Sequence, residues 1–326
     1  MRAIQAEAYG DSSVLHWKEL RDPEPGPGEV AVKVSATGVN FADIAMRRGV
    51  YPGSAAPPFI PGLDCLGTIV AVGAGVTGLE IGQRVAAYPE RGSYAEIAVA
   101  RAILTYPVGP EVPDEAAASL NVMVTAHNIL RVAGRLAPGE SVLIHAAAGG
   151  VGSTAIQMAR AFGAGRIFAT VGSPAKFEAA REAGADEVID YRSEDVAMRV
   201  MAGTKERGVD VILDSVAGDV FTNGFPALAP FGRYVTFGRS SGKPANFEAT
   251  RLSGDNRSVV GYSSGGYRKR RPEGLIQAVQ ASFTMAAQGL VKVVVGARFA
   301  LLDAAKAQDL VESRQSVGKV LLINGY

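Results

Sequence analysis

Three glycines, at positions 149, 150 and 152, crowd the first half of the run HAAAGGVGSTAIQMARAFGA from His145 to Ala164, which the apolar SVLI precedes. A strand that enters a helix through such a turn is a potential anion site. The first N–H groups of a helix have no partner inside it, and they carry a partial positive charge. Side chains on the turn would hold a pyrophosphate away from those groups. In the dinucleotide pattern G-x-G-x-x-G the matching positions are Ala147, Gly149 and Gly152, so the first glycine is replaced. Ala148, Gly149, Gly150, Val151 and Gly152 are the cofactor-binding candidates of this turn.

A second group of residues bears on which dinucleotide. NAD sites place an acid about 20 residues on, to hold the ribose hydroxyls. Here the next apolar run ends in TVGSPAK, with Gly172 and Ser173 where the acid would stand. Lys176 follows, and Tyr191 and Arg192 come after the next strand signal. Ser173, Lys176, Tyr191 and Arg192 around one corner suit a 2′-phosphate. The reading is NADPH; the alternative is that Lys176 and Arg192 are solvated surface charges.

The elements that must position these residues fall into two styles. VLHWKEL, EVAVKVSATGV, CLGTIVAVG, QRVAAY and SYAEIAVA are short, rich in β-formers and separated by turn clusters, which predicts a barrel-like β-domain. PDEAAASLNVMVTAHNILRVAG, opened by Pro113-Asp114-Glu115, reads as one helix through Ala133. Strands then alternate with helices of about ten residues, which predicts a parallel sheet covered on both faces. Ser193 is the expected N-cap of the helix SEDVAMRVMAGT. The rhythm is lost after Gly238. The tail from VKVVV onward reads strand, strand, helix, strand and rejoins the first domain. The resulting domains are 1–122, 123–290 and 291–326.

Bulk properties exclude several function classes. A net charge of +1 gives no global field for nucleic acid or anionic membrane. The single cysteine, Cys65, excludes an internal disulfide framework and a Cys-rich zinc site. No apolar run reaches the roughly 18 residues of a membrane span, and MRAIQAEAYG lacks a signal-peptide core. A cytoplasmic protein is expected. The basic run RKRR at 268–271 reads as a solvated loop, and nucleic-acid binding is not expected from it.

TGVNFADI, GVYP, PGLDCLGTIVAVG, GSYAEIAVA, HAAAGGVG, TVGSPAK, IDYR and TFGRSSG occur in this order along the chain. Together they resemble the quinone oxidoreductase (zeta-crystallin-like) branch of the medium-chain dehydrogenase/reductase superfamily. The resemblance implies an α/β protein with a GroES-like β-rich catalytic domain and a Rossmann doubly wound parallel sheet. In the zinc alcohol dehydrogenases of that superfamily two matching positions hold metal ligands; here they are Asn40 and Leu63. Asp64 stands where the branch often has glutamate. His16, His127 and His145 have no ligand spacing, and catalytic zinc needs three protein ligands. The expectation is a zinc-independent enzyme.

Without a Lewis acid a more electrophilic acceptor is expected, a quinone or an activated alkene such as an enone. The resemblance implies that Asn40 and Thr125 line the nicotinamide end, and that Phe237, Gly238 and Ser240 flank the cofactor. Asn40 orients the carboxamide or the acceptor carbonyl, or caps a loop. Tyr51 donates to the developing oxyanion or packs. Arg314 reaches the cofactor from the C-terminal return or is a solvated helix charge. Two other functions fit the same motifs: an enoyl-thioester reductase of a lipid or polyketide pathway, and an NADPH-holding structural or RNA-binding protein. A homodimer is implied, with VVGYSS as the contact because an unpaired sheet edge is a pairing surface.

Overall fold

The computed structural model describes residues 1–51, 53–90 and 92–325. The chain begins with β1 (Arg2–Ala6), β2 (Leu15–Glu19), β3 (Glu29–Val39), α1 (Phe41–Arg47), β4 (Cys65–Val72), β5 (Arg84–Ala87), β6 (Ile97–Arg101) and β7 (Thr105–Pro107). Helices α2 (Asp114–Ala117) and α3 (Leu120–Asn128) follow. The alternating segment holds β8 (Ser141–Ile144), α4 (Gly150–Ala161), β9 (Arg166–Val171), α5 (Phe177–Glu182), β10 (Glu187–Asp190), α6 (Val196–Gly203) and β11 (Val209–Asp214). It continues through α7 (Asp219–Gly224), β12 (Leu228–Thr236), α8 (Thr250–Ser253), β13 (Ser258–Gly261) and α9 (Ser264–Arg270). The chain ends with α10 (Ile276–Ala287), β14 (Val295–Ala300), α11 (Ala304–Glu312) and β15 (Lys319–Ile323).

Two compact units result. The first is Met1–Met123, Arg270–Gln288 and Val293–Tyr326; the second is Val124–Lys269 with Gly289–Lys292. Helix α10, assigned from sequence to the middle domain, therefore packs with the first unit. In the first unit a seven-stranded sheet runs β14-β15-β3-β4-β5-β7, with β6 also paired to β3. Long β3 is its spine, taking β4, β6 and β15 antiparallel. Alternate valines of β3 (Val30, Val32, Val34) bury with Ile69, Val85 and Ala98. A second core joins Val39, Val320 and Leu322 to Tyr94 and to Ala304 and Ala307 of α11.

The second unit is a six-stranded sheet in the order β10-β9-β8-β11-β12-β13. All its pairings are parallel. This is the doubly wound order, whose strand ends form ligand sites where the order reverses. Strands β8 and β11 are buried along their whole length, as a parallel sheet covered on both faces requires. Under one face Phe221 and Tyr234 meet with ring centroids 4.4 Å apart.

Local details differ from the sequence reading. The helix through Ala133 is broken into α2, α3 and a wide turn, Ile129–Ala133, closed by Gly134 N–H donating to Ile129 O at 2.9 Å. A Cβ on Gly134 would lie 2.7 Å from that oxygen, so the wide turn needs the glycine. The N-cap of α6 is Asp195, whose carboxylate accepts from Met198 N–H at 3.0 Å, and not Ser193. The tail has one strand before α11, because Val291–Val294 is irregular and only Val295–Ala300 pairs with β15.

Candidate active site

The turn between β8 and α4 is held from both sides, by His145 N–H on Leu213 O at 3.0 Å and Ala147 N–H on Thr170 O at 2.9 Å. Gly149 is the N-cap of α4, with extended backbone and no side-chain cap, so no side chain occupies the first-turn N–H groups. The glycines do different work. At Gly152 a Cβ would lie 2.4 Å from Ala146 O and 2.6 Å from Ala147 Cα, so this glycine lets the helix seat on its own turn. At Gly149 a Cβ would meet one atom, Ala146 O at 3.3 Å, a tight contact but a milder one than those at Gly152. Ala148 is buried, whereas Gly150 and Val151 are half-exposed.

His145 lies beneath this turn. Its Nδ1 meets Thr170 Oγ1 at 2.9 Å and its Nε2 is buried without a partner. Burial lowers its pKa, against the pull of Asp214, so the ring stays neutral at ordinary pH. At the neighbouring corner a Cβ on Gly172 would meet Tyr191 Oη at 2.7 Å, so the glycine makes room for that ring. Ser173, Lys176 and Tyr191 are half-buried there, and Arg192 is exposed. The Lys176 pKa is lowered by burial and, to a smaller extent, by the charge of Arg192. Residues 237–241 lie along the end of β11, with Phe237 N–H on Asp214 O at 2.9 Å and Ser240 N–H on Ser215 O at 3.0 Å. A Cβ on Gly238 would come 2.8 Å from Ser215 O, so its absence serves this packing.

In the first unit Asn40, at the N-cap of α1, is the hub of a buried polar network. Its Nδ2 donates to Asp64 Oδ1 at 2.7 Å and to Gly38 O at 3.1 Å. Its Oδ1 accepts from Lys319 Nζ at 2.8 Å and from Asn121 Nδ2 at 3.4 Å. Lys319 also donates to Val39 O at 3.0 Å. Asp64 Oδ2 accepts from Asn121 N–H at 2.8 Å, and Asp43 Oδ2 from Asn40 N–H at 2.8 Å. Lys319 is 2% exposed; Asp43 and Asp64 are 0%. Burial lowers the Lys319 pKa, and the carboxylates of Asp64 and Asp43 act against that.

The segment 26–112 matches the alcohol dehydrogenase GroES-like domain, and 150–283 the zinc-binding dehydrogenase domain. The quinone oxidoreductase of Pseudomonas aeruginosa is 36% identical over 325 residues, covering 99% of each chain. The chain belongs to the quinone oxidoreductase family. The structure of the Escherichia coli quinone oxidoreductase complexed with NADPH superposes with a TM-score of 0.92 at 33% identity, covering 99% of this chain and 100% of that one. A phenolphthiocerol/phthiocerol polyketide synthase polypeptide of Mycobacterium tuberculosis is 36% identical over 323 residues, which is 98% of this chain and 14% of that one.

Zinc does not fit this chain at the position that the name of the matched domain suggests. Leu63 offers no donor atom, and the Asn40 oxygen already binds an ammonium in the dry interior. A second cation there would be repelled. Among the described residues no group of three or more His, Cys, Asp or Glu could hold a metal. Cys65 is fully buried, and burial pushes its thiol up, away from the thiolate a metal or nucleophile needs.

The remaining candidates lie in both units. Tyr51 is half-buried after α1, and its carbonyl accepts from Ser54 Oγ at 2.7 Å. Thr125 is buried in α3 and hydrogen-bonds Tyr262, which also accepts from Asn128 Nδ2 at 3.3 Å. Arg314 is exposed and follows α11 in the left-handed region, φ 58°. Lys319, Asp43 and Asn121 were not among the sequence candidates. The one signal for Lys319 is a cation at the head of the apolar strand KVLLI.

Proposed function

We propose that this chain is an NADPH-dependent, zinc-independent reductase that passes hydride to a quinone or an activated alkene. Bound NADPH supplies the hydride. The open first turn of α4 suits its pyrophosphate, and the Lys176–Arg192 corner its 2′-phosphate. The single observation that carries the cofactor choice is that corner, where Gly172 and Ser173 follow β9 in place of an acid and Lys176 is half-buried beside them. Phe237, Gly238 and Ser240 form a backbone ledge beside β11 that suits the cofactor's flank. Thr125, fixed by Tyr262, and Asn40, fixed by its network, serve the nicotinamide end. Tyr51 is the donor proposed for the acceptor oxygen as negative charge develops on it. Arg314, exposed after α11, is proposed to reach the cofactor from the C-terminal return.

Steady-state rates on quinones and enones test the activity, and absence of turnover on every acceptor would refute it. Lys176→Ala is expected to lower kcat/KM for NADPH about 10- to 100-fold, the worth of one charge-assisted bond, with NADH little changed. Equal losses with both cofactors would remove Lys176 from the phosphate site.

The polyketide synthase relative favours a second reading, reduction of an enoyl thioester. Crotonyl-type thioesters turned over far faster than quinones would select it. The quaternary proposal is a homodimer through β13, which among the described residues pairs with β12 alone. Its Val259 and Val260 are half-exposed on the edge of a six-stranded sheet. Light scattering is expected to give twice the chain mass; a monomer at micromolar concentration would overturn it.

A further inference from the structure

We propose that Lys319 is a positioning residue: with Asp64 it fixes the polarity of the Asn40 carboxamide, so that Asn40 meets a ligand only as a hydrogen-bond acceptor. The proposal rests on the reading that Asn40 serves the nicotinamide end.

The donor and acceptor inventory carries it. A carboxamide has two N–H donors and two lone pairs. Both Asn40 donors are spent inside the protein, on Asp64 Oδ1 at 2.7 Å and Gly38 O at 3.1 Å. One lone pair is spent on the Lys319 ammonium at 2.8 Å. Among the described residues the other faces Asn121 Nδ2, at a long 3.4 Å, and the Asp43 N–H of the α1 capping box, which also donates to Asn40 O at 3.0 Å; an incoming N–H can displace these contacts. The inverted rotamer would point NH₂ at the ammonium and oxygen at the Asp64 carboxylate, two repulsions in a dry interior, where such contacts are strongest. Asn40 therefore has no donor to offer an acceptor's carbonyl or its developing oxyanion. It has one lone pair to offer an N–H, and the amide of a nicotinamide carboxamide is such a group.

The backbone is shaped around the lysine. A Cβ on Gly38 would lie 2.6 Å from Lys319 Cε and 2.7 Å from Nζ. Gly38 pairs with Leu321 across β3 and β15 in ordinary strand geometry, so no turn demands a glycine there. The missing side chain is the space through which the ammonium reaches Val39 O and Asn40 Oδ1.

The test compares NADPH with its reduced 3-acetylpyridine analogue, which keeps the ring carbonyl and lacks the amide N–H. The wild-type protein is expected to favour NADPH by about tenfold in kcat/KM, the worth of one hydrogen bond. Lys319→Met is expected to bring that ratio close to one, by raising KM for NADPH more than for the analogue. Its affinity for 2′,5′-ADP, which has no nicotinamide, should not change. A merely structural lysine would lower both cofactors together and leave the ratio alone, and that result overturns the proposal. Gly38→Ala, which displaces the ammonium and keeps its charge, is the second variant. Loss of the ratio in it supports the proposal even if Lys319→Met does not fold, and a retained ratio overturns it. No turnover by the wild-type protein with either cofactor would refute the reductase reading itself. Turnover without preference for NADPH over the analogue would refute only the role given to Asn40 and Lys319.

Discussion

Gly152→Ala is expected to destabilise the second unit by about 1–3 kcal/mol with no cofactor present, the usual range for overpacking. The added Cβ would lie 2.4, 2.6 and 2.8 Å from Ala146 O, Ala147 Cα and Ala147 O. All three are backbone atoms of a turn pinned to Leu213 and Thr170, so no flexible side-chain end can give way. Replacing a helical glycine by alanine favours the helix by about 1 kcal/mol, which is too little to offset such contacts. A fall in melting temperature of about 2–10 °C follows for a unit of this size. Gly149→Ala is the control. Its Cβ meets one atom at 3.3 Å, and its φ of −81° suits alanine. The control's apo melting temperature should fall less than that of Gly152→Ala, since its single contact with Ala146 O is about 0.9 Å longer, with the larger penalty in NADPH affinity. Thermal unfolding of both variants, with and without NADPH, decides. An unchanged apo melting temperature for Gly152→Ala would mean that the turn yields.

This contrast bounds what the glycine run conveys in sequence. Small residues mark close approach but do not say what approaches. Gly152 and Gly238 avoid the protein's own backbone, Gly172 avoids the Tyr191 ring, and Gly149 is crowded only by Ala146 O at 3.3 Å. The doubly wound order was legible because strand and helix alternate with different hydrophobic periods, and parallel strands buried on both faces are apolar throughout. The return of the tail was legible as a loss of that rhythm. The Asn40 network was not. Its members sit at positions 40, 43, 64, 121 and 319, and only the pairing of β15 with β3 brings Lys319 to Asn40. A lysine at a strand's head reads as solvated, since charged side chains are seldom fully buried unless paired. The pairing is a tertiary fact with no local pattern. The wide turn at Ile129–Ala133 and the Asp195 cap were missed for a simpler reason: each turns on one hydrogen bond between near-equivalent alternatives.

The same network makes stability depend on pH in a direction opposite to that of an exposed, paired carboxylate. Lys319 faces both Asp43 and Asp64, one ammonium for two carboxyl groups. Both oxygens of Asp64 accept N–H bonds. Asp43 Oδ2 is bonded to Asn40 N–H and to the Tyr94 hydroxyl, whereas its Oδ1 is buried with no partner. The extra proton therefore goes to Asp43. Burial, reinforced by the Asp64 charge, pushes its pKa up to about 7, against the pull of Lys319 and of the bonds from Asn40. In the unfolded chain the group titrates near its ordinary value of about 3.9. Between about pH 4 and pH 7 the folded state holds a proton that the unfolded state has released, so stability falls as pH rises through that window and levels off above it. The accumulated loss is expected to be a few kcal/mol, since each pKa unit is worth about 1.4 kcal/mol. Asp43→Asn keeps the shape and an acceptor oxygen for Asn40 N–H, and removes the titration. Urea unfolding of both proteins at pH 5 and pH 8 isolates the effect, because every other group is common to the two. The variant is expected to lose little between the two pH values and to exceed wild type at pH 8. Parallel pH dependences would mean that Asp43 is ionised throughout, and that Lys319 balances both carboxylates at once.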